Sequence, residues 1–464
     1  MCQKILKSLA ATAVLALLLF TAGCLADLSH QVISDLERMP QEPLAYLDPD
    51  TAHQPLLTSA QQQVLASEFL KLHFAAWHSE TPLASTGSPF WAVDWIREHE
   101  VYGVNLRPID ADQRRQLIDL TDRASYPSLN RRAIAVRRSN LRALPSRSPL
   151  FNNPRKAGEG FPFDNLQHAA LAANTPLLVT HISKDGSWAF AETSLVYGWM
   201  PVNDLAWIDD AFARDFAAGH YLSLTRDAVP LFDSAGIYRF RAGIGTILPL
   251  TNTESGKHRV LLAVADQERQ ALLVEATVPL DHGEVFPLPL TAWRLASLAA
   301  GMKGQPYTWG ESFSGRDCSA TVRDMFAPFG LWLPRNSSKQ ARAGRVIPLS
   351  ELTPDRREQH LLAEGIPFLT LVRIPGHIML YIGEYQGRAA LLHTIWGLRT
   401  RNLWGREGRW LIGKTVITTL EPGLEQAGLF LDISNLRNRV ESMNILAPAD
   451  SHRVHDMGNH AESD

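Results

Sequence analysis

Residues 315–326 read GRDCSATVRDMF, and they hold the one cysteine of the chain beyond residue 24. From Cys318 onward, apolar residues recur at Val322, Met325, Phe326 and Phe329 with helical spacing, and Gly330 stops the run. Cys318 is therefore expected in the first turn of a helix. There, unpaired backbone N–H groups and the positive end of the helix dipole favour a thiolate over a thiol. A lowered pKa is what a thiol nucleophile needs. The competing reading is a small, buried, inert residue.

A nucleophile also needs a base. The run Pro375-Gly376-His377-Ile378-Met379-Leu380-Tyr381-Ile382-Gly383 reads as a strand led by a histidine, with His377, Met379 and Tyr381 on one face. The next strand, Ala389 to Thr394, follows a turn at Gln386-Gly387 and carries His393. The two histidines can then meet across a hairpin, one orienting the other toward Cys318. The remaining histidines show no paired zinc spacing, so no metal or cofactor is expected.

The chain has 464 residues, enough for roughly three domains at about 150 residues each. Its net charge of −3 supplies no basic field for nucleic acid. Residues 1–24, MCQKILKSLAATAVLALLLFTAGC, place Lys4 and Lys7 before an apolar stretch from Ala10 to Phe20, the layout of an export signal. The small residues Ala22-Gly23 end on Cys24, and this is similar to a bacterial lipoprotein signal in which that cysteine is lipidated. Thr21 departs from the larger aliphatic residue usual there, and ordinary cleavage after Gly23 or Ala26 is the alternative. Leu25 after the cysteine favours a periplasmic protein anchored to the outer membrane. Export leaves Cys318 without an intramolecular partner in an oxidising compartment, which favours a reactive role.

Between these ends the texture changes several times. Residues 25–60 read as a tether that wraps or links. Gln61 to Trp77, Phe90 to His99 and Asp110 to Ala124 read as helices, giving an N-terminal helical region with an extended linker over 24–150. The stretch 128–165 is basic and proline-rich and reads as a solvated connector. Short alternating strands follow, with Asp185-Gly186 as a tight turn, and they make a small barrel over 151–215. A divergent second copy is expected over 216–287. Trp188, Tyr197 and Trp199 either fill the first barrel or, as its resemblance to an SH3-like domain implies, line a groove for a cell-wall peptide. Leu290, Trp293, Ala296 and Ala300 mark one helix face ahead of the cysteine, and a short helix is expected near Ile433 to Met443. Residues 446–464 form a polar tail; His452, His455 and His460 in it read as frayed rather than metal-binding.

The Asp-Gly-x-Trp turn at 185–188 and Gly198-Trp199-Met200-Pro201 resemble a bacterial SH3-like domain. Further on, Tyr307-x-Trp309-Gly310, Asp317-Cys318-Ser319, Leu333-Pro334-Arg335-Asn336-Ser337-Ser338, Gly376 to Gly383 and Leu392-His393 together resemble the NlpC/P60 family, bacterial cell-wall cysteine peptidases with a papain-like core. The likeness spans residues 288–420 within a catalytic domain expected over 288–445. It implies an α+β fold with one or two SH3-like barrels and a helical segment ahead of the peptidase. It assigns Cys318 as nucleophile, His377 as general base and His393 as orienting residue, with a thiolate–imidazolium pair near neutral pH.

The same resemblance implies cleavage of the γ-D-glutamyl–diamino acid bond, commonly to meso-diaminopimelate, in peptidoglycan stem peptides. Asp317 and Tyr307 resemble positions that hold a free N-terminal L-alanine amine, with Ser319 assisting; the other reading of Asp317 is a helix cap. Arg335 and Ser338 are candidates for the D-glutamate carboxylate. Arg316, before Asp317, departs from the family pattern and is expected at the rim of the cleft. The rival readings are a non-catalytic cell-wall-binding lipoprotein and an amidase or acyltransferase on the same scaffold. A monomer is expected.

Overall fold

The computed structural model describes residues 33–84, 89–401, 405–423 and 435–447. The expected signal, Cys24 and the polar tail from residue 448 lie outside the described residues. An arm opens the described chain with helix α1 (Ser34–Arg38) and leads to the long helix α2 (Ser59–His78). Thr58 caps α2 and exchanges bonds with Gln61 in a capping box. Helices α3 (Trp91–Glu98) and α4 (Ala111–Leu120) complete the helical region, the second again boxed by Asp110 and Gln113.

The first β unit is a seven-stranded sheet in the order β3-β2-β6-β5-β4-β1-β7. Its strands are β1 (Arg131–Ala135), β2 (Ser139–Arg142), β3 (Gln167–Leu171), β4 (Pro176–Ile182), β5 (Trp188–Glu192), β6 (Tyr197–Pro201) and β7 (Leu205–Trp207). Two of these lie in the stretch read from sequence as a solvated connector. The triplet Ala133-Ile134-Ala135 is buried, while the basic residues before it sit at the rim: Arg131 stacks on Trp207 and Arg132 pairs with Asp210. Long cationic side chains carry their charge outward over an apolar surface, so a basic run can conceal a strand. Trp188 and Trp199 are core residues here, packed with Phe90 and Phe190.

Helix α5 (Asp210–Ala217) leads into the second β unit. A five-stranded sheet runs β13-β12-β11-β8-β14, beside a hairpin of β9 and β10. The strands are β8 (His220–Leu224), β9 (Val229–Phe232), β10 (Tyr238–Ala242), β11 (Ile247–Glu254), β12 (Lys257–Ala265), β13 (Ala271–Pro279) and β14 (Gly283–Phe286).

The C-terminal unit sets helices α6 (Ala292–Met302) and α7 (Cys318–Phe326), with the short α8 (Ser337–Gln340) and α9 (Pro354–Glu364), around a six-stranded sheet ordered β15-β20-β16-β17-β18-β19. These strands are β15 (Arg345–Pro348), β16 (Thr370–Ile374), β17 (His377–Tyr385), β18 (Arg388–Arg401), β19 (Glu407–Thr418) and β20 (Ser442–Ile445). One core joins Leu295, Ala299, Cys318, Val322, Met325 and Phe326 to Ile378, Leu380 and Leu392 of the sheet. Trp293 faces outward at 42% exposure and stacks on His53, because Leu295, Leu298 and Met302 take the buried side of α6. Where a helix was expected near 433–443, the described part is a 3-10 turn, Arg437–Arg439, followed by β20. Its buried Met443 completes the sheet instead.

Three sets of polar contacts lock the units together. Gln62 of α2 is buried and donates to the carbonyls of Leu288 and Phe329, while Leu290 N donates to its Oε1 at 3.2 Å. Gln41 of the arm spans the free edge of β19, accepting from Ile417 N at 3.0 Å and donating to Ile417 O at 2.8 Å. An edge strand with open N–H and C=O groups invites wrong pairing; residues 304–307 pair with Gly413 to Thr415 on this edge, and the arm covers it beyond them. Arg316 donates to both carboxylate oxygens of Asp227, at 2.7 and 2.8 Å, and to Asp324 at 2.8 Å. It is therefore a clamp on the second β unit rather than a rim residue. Asp324 keeps Arg323, but Asp227 is largely buried and keeps only amide donors, so Arg316→Ala is expected to cost about 3–5 kcal/mol by leaving Asp227 without a counter-charge. The urea midpoint checks this; a loss below about 1 kcal/mol would assign the clamp no role in stability.

Candidate active site

Asp317 begins the site. As N-cap of α7 it accepts from Ala320 N at 3.0 Å through Oδ1. Ser319 Oγ donates to the same oxygen at 3.1 Å, and Gly310 N donates to Oδ2 at 3.2 Å. Arg335 grips both oxygens, at 3.2 and 2.6 Å. A carboxylate has about four lone-pair positions, so Asp317 is fully engaged by its own chain. The capping reading of Asp317 is the one this geometry supports. Arg335 is likewise buried, ion-paired to Asp317 and to Glu311, and does not offer its fork to a substrate carboxylate. Ser319 donates to Asp317 and accepts from Arg335 at 3.0 Å, so it belongs to the same support. Ser338 is exposed on α8. Tyr197 is half-buried in the first β unit, against Phe190 and His168.

The cap fixes Cys318 in the first turn of α7 at 9% exposure. The backbone amides of Ile378 and Ser319 face its sulfur, which places the thiol at the start of β17 beside His377. His377 Nε2 lies 2.8 Å from His393 Nδ1, and His393 Nε2 lies 3.0 Å from Thr418 Oγ1. The Thr418 hydroxyl donates its single proton to Thr419 O at 2.8 Å, so toward His393 it can only accept. His393 therefore carries its proton on Nε2 and presents a bare Nδ1. His377 must then donate from Nε2, which leaves the Nδ1 lone pair free to take a proton from the thiol. The tautomer of the base is set two residues away. Sequence reasoning did not find Thr418; its one signal is a hydroxyl on an apolar strand, which needs a buried partner.

The electrostatics depart from expectation. Burial pushes the Cys318 thiol up to about 12, with the Asp317 charge as the second cause, against the amides of Ile378 and Ser319. Burial also lowers His377 to about 4, helped by the Arg439 charge. His393 lies well below its ordinary value through burial and the nearness of His377. The resting pair is thiol and neutral imidazole, not thiolate and imidazolium, because desolvation and a neighbouring carboxylate outweigh the helix terminus. Attack then requires His377 to take the thiol proton as the carbon–sulfur bond forms, which is general-base catalysis. The Cys318 backbone N–H, at the helix start, is placed to donate to a developing oxyanion.

The first β unit forms the facing wall. Trp309 Nε1 donates to Asp164 O at 3.0 Å, Gln167 Nε2 to Gly310 O at 2.8 Å, and Arg138 Nη2 to Glu311 O at 2.5 Å. Gly310 has a φ of 59°, and a Cβ there would lie 2.5 Å from Gln167 Cγ, so only glycine allows this approach. Glu311, 2% exposed, is penalised by burial but held down to about 2 by Arg323 and Arg335. Phe163 packs on both Trp309 and Trp396, and Trp396 meets the Tyr307 ring at 5.9 Å. Burial raises the Tyr307 hydroxyl pKa, as do the neighbouring Cys318 and Asp317 charges. Tyr307 thus stands between the thiol and the first β unit.

Two outcomes follow from this geometry. Thr418→Val strands the His393 Nε2 proton and is expected to lower kcat about tenfold or more, with a smaller change in KM and an unchanged unfolding midpoint. Unaltered kcat would remove Thr418 from the relay. A base held near 4 is neutral above that pH, and protonation switches it off only below it. The acid limb of kcat/KM is therefore expected near pH 4, and alkylation of Cys318 by iodoacetamide should still be rising above pH 9. A plateau in alkylation between pH 6 and 8 would instead indicate a resting thiolate.

Comparison with known proteins agrees with this architecture. Residues 304–402 match the NlpC/P60 family, and 13–126 match the N-terminal NLPC_P60 stabilising domain. An SH3 domain of the SH3b1 type matches 149–201 and one of the SH3b2 type matches 209–254. The γ-D-glutamyl-L-lysine dipeptidyl-peptidase of Bacillus subtilis (strain 168) is 27% identical over 177 residues, 38% of this chain and 53% of that protein. The match thus spans about half the length of that relative. An NlpC/P60 endopeptidase from Photobacterium damselae subsp. piscicida shares the fold with a TM-score of 0.80 at 23% identity, over 89% of this chain and 98% of the other. A region matching the stabilising domain and two SH3-like domains precede a unit that holds the thiol and the paired histidines, and residues 304–402 of that unit are an NlpC/P60 domain.

Proposed function

We propose that this chain is a peptidoglycan hydrolase, a cysteine endopeptidase that cuts the γ-D-glutamyl–diamino acid bond of stem peptides. The observation that carries the reading is the chain from Thr418 through His393 to His377, which leaves one imidazole nitrogen of His377 bare at the start of β17, where the Ile378 amide faces the Cys318 sulfur. Cys318 attacks the amide carbonyl as His377 takes its proton. His377 then returns the proton to the leaving amine, and water hydrolyses the thioester. Cleavage after γ-D-glutamate is favoured by the likeness to a relative named for a γ-D-glutamyl-L-lysine bond.

Preference for a free N-terminal L-alanine is supported by the wall of the first β unit, packed against residues 309–311 and Trp396. A wall there leaves room for a short peptide end and opposes a continuing glycan. With Asp317 fully engaged, the Tyr307 hydroxyl is the candidate group to meet that end of the substrate. The signal-like stretch ending at Cys24 supports export to the periplasm and a lipid anchor, on sequence grounds alone.

Incubation of the purified chain with L-Ala-γ-D-Glu-meso-diaminopimelate-D-Ala is expected to release the dipeptide L-Ala-γ-D-Glu, identified by mass spectrometry. Cys318→Ala should abolish release while keeping the unfolding midpoint. Release of a different fragment would make the protein an amidase or acyltransferase, and no turnover of any muropeptide would favour a wall-binding role. Free stem peptide is expected to be cut faster than intact sacculus; equal rates would remove the role proposed for the first β unit.

A further inference from the structure

The His377 end of the cleft carries positive charge that the described residues do not neutralise. In the β18–β19 ladder, Arg399 stands directly opposite Arg409. Like charges in that relation are unfavourable unless something answers them. Both turn to one carboxylate: Arg399 Nη2 donates to Glu407 Oε1 at 2.7 Å, and Arg409 Nη1 lies 3.8 Å from Oε2. Arg401 shares the same carboxylate at 3.5 Å. Arg439 joins them from the turn before β20, where its Nη2 donates to Pro375 O at 3.1 Å, just ahead of His377. Glu441 nearby is paired with Arg373 at 2.8 Å. Arg399 Nε is buried and has no hydrogen-bond partner among the described residues. Burial lowers the Arg439 pKa, and the charges of Arg399 and Arg409 lower it further, so the three guanidinium groups are within electrostatic reach of one another.

We propose that Arg399, Arg409 and Arg439 form a carboxylate subsite for the residue on the leaving side of the scissile amide. This rests on the endopeptidase reading above. His377 must return a proton to the leaving amine, so the residue bearing that amine lies at the His377 end of the cleft, where these arginines stand. The guanidinium fork matches a carboxylate, and a bound anion eases the repulsion between Arg399 and Arg409, which share one carboxylate with Arg401. The subsite favours a leaving diamino acid with a free carboxylate. That group is either a carboxylate on the side chain, which diaminopimelate has and lysine lacks, or the α-carboxylate of a stem that ends at this residue.

The test compares kcat/KM of the full chain on L-Ala-γ-D-Glu peptides ending in meso-diaminopimelate, in L-lysine, and in diaminopimelate amidated at one or the other carboxyl. Diaminopimelate is expected to exceed lysine by about tenfold or more, and amidation of the contacted carboxyl should erase the difference. If the α-carboxylate is the contact, the α-amide of either peptide should fall instead, with diaminopimelate and lysine alike. In Arg439→Gln and in Arg399→Gln the selectivity ratio should fall toward one, while Arg439→Lys keeps part of it. Because the ratio is taken within each variant, partial loss of fold lowers both rates without mimicking this result. Turnover insensitive to every carboxylate change, or variants that keep the wild-type ratio, would overturn the subsite alone. Absence of turnover on every stem peptide would overturn the endopeptidase reading and the subsite with it.

Discussion

The ion pair between Asp317 and Arg335 is the constraint on which the rest of the site depends. Through its two oxygens, Asp317 starts helix α7, holds Gly310 and fixes Ser319. Arg335 carries the connection to Glu311, whose carbonyl accepts from Arg138 of the first β unit. One charged knot thus sets the position of the nucleophile, the loop beside it and the wall opposite. Buried ion pairs contribute little net stability, but removing one member leaves a bare charge and costs about 3–5 kcal/mol. Such a knot specifies one arrangement more than it stabilises the fold.

The same carboxylate opposes the chemistry it positions. Asp317 stands beside the thiol and raises its pKa, and burial raises it more. The site is therefore built for geometry at the expense of ionisation. What restores reactivity is the direction of the His377 lone pair, and that is imposed from Thr418 through His393. A neutral thiol is also slow to oxidise, since the thiolate is the form that reacts with oxidants. For an unpaired cysteine in the oxidising compartment inferred for this chain, a suppressed resting nucleophile is a protection.

Much of this was legible in the chain before its structure. Cys318, His377 and His393 stood out because a helix start, a strand start and a hairpin each put a polar group where periodicity calls for an apolar one. Helices α2 and α4 were legible from their residue spacing, and the structure adds a capping box to each, at Thr58 and at Asp110. What escaped notice depends on contacts between distant segments. The basic residues around Ala133-Ile134-Ala135 hid a strand, since their aliphatic stems lie along the surface. Arg316 read as a rim residue because its partner, Asp227, lies in another unit. The ionisation state of Cys318 went the other way from expectation, because a helix terminus is visible in sequence and desolvation is not.

The arm that closes the edge of β19 ties Gln41 to Ile417 and Asp35 to Thr419. These partners are separated by 376 and 384 residues. During synthesis the arm emerges early, yet its docking site exists only after nearly the whole peptidase unit has followed. The final closure is consequently among the most non-local steps available to this chain, and such steps slow folding. Until it happens, the Ile417–Thr419 end of β19, beyond its pairing with residues 304–307, is left uncovered. The enzyme's last act of assembly is to turn back on its own beginning, and only then is its sheet sealed.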